Sequence, residues 1–287
     1  MAAYRVDMDN DKPIIRLQKV RKAFNGLVVL DGVDLDVYPG KTTVVIGPSG
    51  CGKSVLLKHI AGLLKPDSGK VFFGDHEVSA MSERQLVDVR KHMGFLFQGG
   101  ALFDSMTVAE NITFPLEQHS VGTPQQWTDR CREVLSLVGL DGLQDKYPEE
   151  LSGGQKKRVA MARALALNPE VILYDEPTTG LDPIRADLIN ELILKLQHAL
   201  GTTAIVVTHD MHSARKVGDR IVMLINGNFI ADTTPEGLDR LNIDIVRRFV
   251  QGRASEEELA ELQTGRFALA GSSEDRKPKP RHGETRS

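Results

Sequence analysis

The eight residues Gly47-Pro48-Ser49-Gly50-Cys51-Gly52-Lys53-Ser54 constrain this chain more than any other stretch. They fit the spacing G-x-x-x-x-G-K-[ST]. Thr42 to Ile46 precede them as a short, apolar, β-branched run that reads as a buried strand. Val55 to Leu64 follow with apolar spacing that suits a helix. Strand, glycine loop and helix are the context this pattern needs to be meaningful. Successive N–H groups in such a loop form a concave anion nest, and the helix start adds free N–H groups and the positive end of a dipole. Lys53 can set a point charge on outer phosphates, and the Ser54 hydroxyl can reach Mg²⁺. A Gly-Lys pair alone would mark only a tight turn. The full pattern between these flanks reads as nucleotide binding.

Composition narrows the setting. The 287 residues are 41% hydrophobic and 26% charged, which suits one large domain or two small ones. A formal net charge of −3 argues against a nucleic-acid partner. No apolar run approaches the roughly 18 residues of a membrane span. Met1 to Lys12 lack the apolar core of a signal peptide. A cytoplasmic chain is expected, with any membrane role arising through partners. Its two cysteines, Cys51 and Cys131, have no metal-site spacing and should stay reduced. Bound nucleotide should shield Cys51, whereas Cys131 reads as a helix-packing residue.

The rest of the chain alternates strands and helices. Residues 14–46 carry alternating apolar positions broken by Asn25-Gly26 and Pro39-Gly40, predicting an antiparallel β layer. Phe24, beside the first turn, is either core or a stacking platform for a base. Ser82 to His92 reads as a helix and Gly94 to Gln98 as a strand ending in an amide. From Gly99 to Leu151 the pattern is helical, with Thr107 near one cap and Gln125 to Val138 as an amphipathic helix. A further helix runs from Lys156 to Leu167, and Lys156, Lys157 and Arg158 read as its solvated face. Val171 to Tyr174 form a buried-strand run ending in Asp175-Glu176. Ala204 to Thr208 form another, ending in His209-Asp210. Ligands of open α/β sheets bind at such strand ends. Leu188 to Leu200 reads as a helix, and Asn226-Gly227 signals a hairpin. Asp244 to Val250 can form a short amphipathic helix, and Ser255 to Glu258 match a capping box. Residues 271–287 have almost nothing to bury and are expected to be disordered.

Taken in order, these motifs resemble the ATP-binding subunits of ABC transporters. The phosphate loop at 47–54, Gln98, Leu151-Ser152-Gly153-Gly154-Gln155, Asp175-Glu176, Gly180-Leu181-Asp182 and His209 carry the likeness. It covers about residues 14–240. It implies an α/β fold with an F1-like core, an antiparallel β layer and a helical subdomain at about 99–165. The ATPase domain would then span 14–250, followed by an extension at 251–287. Residues 241–267 read either as an arm to a partner subunit or as a helix packed on the chain's own domain. The resemblance further implies a head-to-tail homodimer in which Ser152, Gly153, Gly154 and Gln155 of one copy face the phosphate loop of the other.

The resemblance also assigns roles. Phe24 would stack on adenine, and Lys53 with the loop amides of Gly47, Pro48, Ser49, Gly50, Cys51 and Gly52 would hold the phosphates. Ser54, Gln98 and Asp175 would arrange Mg²⁺. Glu176 would polarise the attacking water, His209 would contact the γ-phosphate, and Asp182 would link the two sites. ATP and Mg²⁺ are the implied cofactors. Where the family usually has a second hydroxyl after Ser54 this chain has Val55, a lost bond of about 1 kcal/mol.

Residues 97–108, with Asn111 and Phe114-Pro115-Leu116, are similar to the ATPases of Mla/Mce-type bacterial lipid transport. Those work at the cytoplasmic face of the inner membrane with a permease, an MCE-domain protein and often a STAS-domain subunit. An amino acid or ion importer is the alternative reading. A soluble ATPase of DNA repair or translation would usually carry two cassettes or long insertions, which this chain lacks.

Overall fold

The structure, a computed structural model, describes residues 12–254 and Leu259. An antiparallel layer comes first. Strands β1 (Ile15–Phe24) and β2 (Leu27–Val37) are joined at Asn25-Gly26, whose φ angles of 48° and 84° suit a two-residue hairpin turn. β3 (Thr42–Ile46) leaves this layer, and all five of its residues are buried. Helix α1 (Lys53–Ile60) follows the glycine loop and buries Leu56, Leu57 and Ile60. It begins two residues before the expected start and ends four residues before Leu64. β4 (Ser68–Phe73) and the two-residue β5 (His76–Glu77) complete a four-stranded sheet in the order β2-β1-β4-β5.

Helix α2 (Glu83–Arg90) is closed at its start by a Ser82–Gln85 capping box and leads into β6 (Met93–Leu96). Three helices then follow: α3 (Val108–Gln118), α4 (Pro124–Leu137) and α5 (Gly153–Leu165). Each is capped by a hydroxyl and a residue three positions on: Thr107 with Glu110, Thr123 with Gln126, and Ser152 with Gln155. The three pack on one another, and α5 also packs on β6. Cys131 of α4 is buried, and burial pushes its thiol up to about 11, as a packing residue requires.

The chain returns to the sheet in β7 (Val171–Asp175), then α6 (Pro183–Leu200) and β8 (Thr203–Thr208). α6 starts five residues before the expected Leu188, because Asp182 accepts from the Arg185 N–H and Pro183 opens the first turn. A short helix, α7 (Met211–Val217), has no counterpart in the sequence reading; Asp210 caps it through the N–H groups of His212 and Ser213. β9 (Arg220–Ile225) and β10 (Asn228–Thr233) form the hairpin expected at Asn226-Gly227. The second sheet runs β10-β9-β3-β8-β7-β6, with every pairing parallel except that of β10 with β9.

This architecture is the expected mixed α/β fold, with an antiparallel layer and a helical region inserted between β6 and β7. Among the described residues no helix is long and apolar enough to cross a membrane. The chain divides into two units, residues 1–242 and 243–287. The described part of that second unit is centred on α8 (Asp244–Gln251), which carries Asp244 in its first turn and Arg248 in its last and ends at Gly252 with φ 62°. The capping box expected at 255–258 and the disorder expected from 271 lie outside the described residues.

Candidate active site

Strand register decides what meets at the carboxyl edge of the parallel sheet. Ile46 of β3 pairs with Thr208 of β8, Asp175 of β7 with Val207, and Leu96 of β6 with Tyr174. The residues that follow each strand therefore emerge at one edge: the glycine loop, His209, Glu176 and Gln98. A cleft of about 320 Å³ lies there. It is lined by Phe24, Ser49, Gly50, Gly52, Lys53, Ser54, Val55, Gln98, Glu176 and His209, so five separate stretches of the sequence share one cavity.

The loop's glycines have different reasons to be glycine. A Cβ on Gly47 would sit 2.3 Å from the Leu224 carbonyl oxygen, and one on Gly52 would sit 2.8 Å from Val29 Cγ1. Lys53 is buried, and its ammonium donates to the carbonyls of Gly47 (2.8 Å) and Pro48 (3.0 Å). It also pairs with Glu176 Oε1 at 3.6 Å. The Ser54 hydroxyl donates to Asp175 Oδ1 at 2.8 Å. Burial raises the Asp175 pKa, and the Ser54 hydrogen bond partly offsets it. A serine hydroxyl beside a carboxylate is a hard-oxygen pair of the kind Mg²⁺ takes. Among the described residues no group of three or more His, Cys, Asp or Glu could hold a metal. The donor set therefore fits a Mg²⁺ shared with phosphates and water rather than a cage made by protein alone.

Glu176 is buried and held from several sides. His209 Nδ1 lies 3.0 Å from Oε2, and the Thr179 hydroxyl donates to the same oxygen at 3.2 Å. Its backbone is left-handed, with φ 49°, an uncommon state for a residue with a long side chain. The Glu176 N–H donates to the Val207 carbonyl at 2.9 Å, which ties the turn to the neighbouring strand. The carboxylate thus faces a lysine and a histidine within a cavity open to a ligand.

The reading of residues 156–158 as a solvated face requires correction. Lys157 is buried, and its ammonium donates to the Gln98 carbonyl and, at 3.4 Å, to the Glu176 carbonyl. Arg158 is half-buried and donates to the carbonyls of Val138 (3.2 Å) and Gly139 (3.1 Å). Periodicity places these cations on α5 but cannot say that one face of α5 covers strand ends.

Ser152, Gly153, Gly154, Gln155 and Asp182 lie outside the cleft, whereas Phe24 and Val55 line it. Ser152 and Gln155 occupy each other: the Ser152 N–H donates to Gln155 Oε1 (2.8 Å) and the Gln155 N–H to Ser152 Oγ (3.3 Å). A Cβ on Gly153 or Gly154 would meet nothing closer than Leu181 Cδ2 at 3.8 Å or Arg185 Cδ at 3.7 Å. Among the described residues no close contact demands glycine at either position. Asp182 caps α6 and pairs with Arg185 Nε at 3.3 Å. Phe24 is 42% exposed at the rim of the cleft, with Lys22 Nζ 5.4 Å from its ring centre. Val55, which replaces the family's second hydroxyl, packs partly against the core.

The half-buried Cys51 reports on the cleft. Burial raises its thiol pKa, and the nearby Lys53 charge partly counters this, so thiol labelling is best run at alkaline pH. ATP at about ten times its Kd is expected to slow Cys51 labelling about tenfold. Cys131, buried in α4, is the internal control. Equal Cys51 rates with and without ATP would contradict the loop assignment.

Comparison with known proteins agrees with this geometry. Residues 30–179 match the family described as ABC transporter. The protein named "Probable ribonucleotide transport ATP-binding protein mkl" of Mycobacterium leprae is 38% identical over 83% of this chain and 69% of its own. The intermembrane phospholipid transport system ATP-binding protein MlaF of Haemophilus influenzae is 40% identical over 79% of this chain and 86% of its own. A dimeric ATP-binding cassette in a post-hydrolysis state with ADP and phosphate superposes with a TM-score of 0.72 at 34% identity, over 77% of this chain and 98% of the other.

Proposed function

We propose, from the premise that this chain belongs to the ABC transporter family as an ATP-binding subunit, that it hydrolyses ATP to drive the movement of phospholipid or a similar apolar lipid between membranes. The observation that carries the ATPase reading is the single cleft shared by the glycine loop, Lys53, Ser54, Gln98, Glu176 and His209. The likeness to a phospholipid transport ATPase supports the choice of cargo.

The geometry supports the following roles. The loop N–H groups and Lys53 bind the triphosphate, which competes with Glu176 for the lysine ammonium. Phe24, at the rim, offers its face to the adenine. Ser54 and Asp175, with Gln98, hold Mg²⁺, which when bound neutralises phosphate charge. Glu176 accepts a proton from the attacking water, with Oε2 held by His209 and Thr179. His209 would contact the γ-phosphate.

The resemblance implies that a second copy supplies further phosphate contacts. Gly153 and Gly154, which no close contact among the described residues requires, are free to let a second copy's γ-phosphate approach the start of α5. Asp182, beside that start, would link the two sites. Supported by the dimeric state of a structural relative, this reading makes the working unit a homodimer.

An apolar groove between β6, α3 and α5 suits a permease. Phe95 and Phe97 stack at 4.1 Å and Phe103 and Phe114 meet at 4.8 Å, with Pro115 and Leu167 also lining it. MCE-domain and STAS-domain subunits complete the proposed assembly at the cytoplasmic face of a bacterial inner membrane. Fractionation tests the whole reading. The chain is expected with membranes, together with a membrane-spanning subunit, and the purified complex should move labelled phospholipid between vesicles only with ATP. Movement of an amino acid instead would favour the importer reading. A chain recovered with ribosomes or DNA would sink both.

A further inference from the structure

Three cations of α5 point at backbone rather than at carboxylates. Arg163 donates to the carbonyls of Gly100 (2.7 Å) and Ala101 (2.6 Å), and Arg158 to the end of α4 and the residue beyond it. Lys157 alone reaches the two strand ends of the cleft, at Gln98 and Glu176. Its side chain is almost wholly buried, 7% exposed. A lysine taken out of water this far costs stability unless its charge is met. Here Asp175 and Glu176 supply the opposing charge, and two carbonyls accept its N–H groups.

The two carbonyls belong to residues whose side chains face the cleft. Glu176 is in a left-handed conformation that needs outside support. Its N–H is tied to Val207, and its carbonyl accepts from Lys157 and from the Thr179 N–H at 3.3 Å. Lys157 lies five positions after Ser152, on the helix whose N-terminus opens with Gly153 and Gly154. One ammonium therefore joins the start of α5 to both the Gln98 and the Glu176 strand ends.

We propose that Lys157 is a positioning residue that holds the backbones of Gln98 and Glu176 to α5, so that the rate of ATP hydrolysis follows the position of that helix. The inference rests on the proposed ATPase reading, with Glu176 as proton acceptor. Lys157 does not line the nucleotide cleft, so its effect falls on the chemical step and not on nucleotide affinity. Misplacing a reacting group by a fraction of an ångström is enough to slow a step substantially.

The test compares Lys157→Met, Lys157→Gln and Lys157→Arg in the full-length chain, with Glu176→Gln as reference. Turnover, ATP affinity by fluorescent-nucleotide titration, and thermal midpoint are measured on each. Lys157→Met is expected to lose about tenfold in kcat while ATP affinity stays within about twofold. Lys157→Arg, which restores a cation with N–H donors, is expected to recover most of the loss. Lys157→Gln, polar but uncharged, should fall between them and supplies the same reading if the methionine variant does not fold. Turnover within about twofold of the parent chain in both uncharged variants overturns the proposal. So does a loss in which affinity and thermal midpoint fall in step with turnover, or one that arginine fails to recover. If Glu176→Gln itself leaves turnover unchanged, the ATPase assignment fails instead, which separates the two ideas.

Discussion

Glu176→Gln is expected to lower ATP hydrolysis by about a hundredfold or more while ATP binding is kept within about threefold, because a positioned proton acceptor contributes roughly that much to such a step. The substitution keeps shape and removes the basic oxygen. The amide oxygen can face Lys53, as Oε1 does now at 3.6 Å, and the amide NH₂ can face His209 Nδ1, now 3.0 Å from Oε2. The neutral tautomer of His209 can accept that hydrogen bond. The pocket is thus still satisfied, and the change falls on proton transfer. Binding survives for a separate reason: the phosphates are held by loop N–H groups and by Lys53. Removing the negative charge beside Lys53 leaves that ammonium freer for phosphate. With hydrolysis blocked, ATP should hold two copies together, seen as a doubled mass in light scattering that appears with ATP and not with ADP. Unchanged turnover in this variant would take the role of base away from Glu176.

Much of this site was legible before any coordinates, because each motif sits at the end of a strand that its own residues announce. Val171 to Tyr174 is a continuous apolar run, as a strand buried on both faces must be, and Asp175-Glu176 breaks it abruptly. Thr42 to Ile46 and Ala204 to Thr208 behave the same way. The hairpin at Asn226-Gly227 follows from two residues that accept positive φ, 49° and 78° in the structure. The capped helix start at Thr107 follows from hydroxyl-to-acid spacing to Glu110, whereas α5, expected from Lys156, begins three residues earlier at Gly153, where Ser152 and Gln155 cap it.

What escaped the sequence depends on tertiary contact. α7 is seven residues long and opens with Met211-His212-Ser213, so it has too few turns to show a period. Its place is fixed by a buried network instead. Asp210 accepts from the Ser213 hydroxyl at 2.5 Å, and that hydroxyl in turn accepts from Asn190 Nδ2 at 2.9 Å. Lys157 was misread for the same reason. A lysine between a lysine and an arginine looks solvated until the fold sets carbonyls from two distant strand ends against it. The left-handed backbone of Glu176 is likewise invisible in its residue type, which ordinarily avoids that region.

Gly47→Ala and Gly50→Ala separate a loop that tolerates side chains from one that does not. At Gly47 the added carbon would lie 2.3 Å from the Leu224 carbonyl oxygen and 2.8 Å from Cys51 Sγ. The sulfur can rotate away, but the carbonyl belongs to β9, which pairs with β3 throughout the parallel sheet. Relief must come from moving the loop off the sheet edge. Overpacking and backbone strain together cost about 2–5 kcal/mol. For a unit of this size that lowers the thermal midpoint by roughly 5–15 °C. The loop that moves is the one whose N–H groups bind the triphosphate. Loss of one or two charge-assisted hydrogen bonds at about 1.5–3 kcal/mol each weakens ATP by on the order of a hundredfold. Gly50 differs: its φ is 78°, yet an added Cβ would meet nothing within 4 Å. Only the strain of about 1–2 kcal/mol remains, with a midpoint drop of roughly 2–6 °C and a modest loss of affinity. Thermal melts and nucleotide titrations of the two variants therefore should diverge widely. Equal losses would mean that the close approach of Gly47 to β9 does not shape the loop, and that its glycines serve only to permit positive φ.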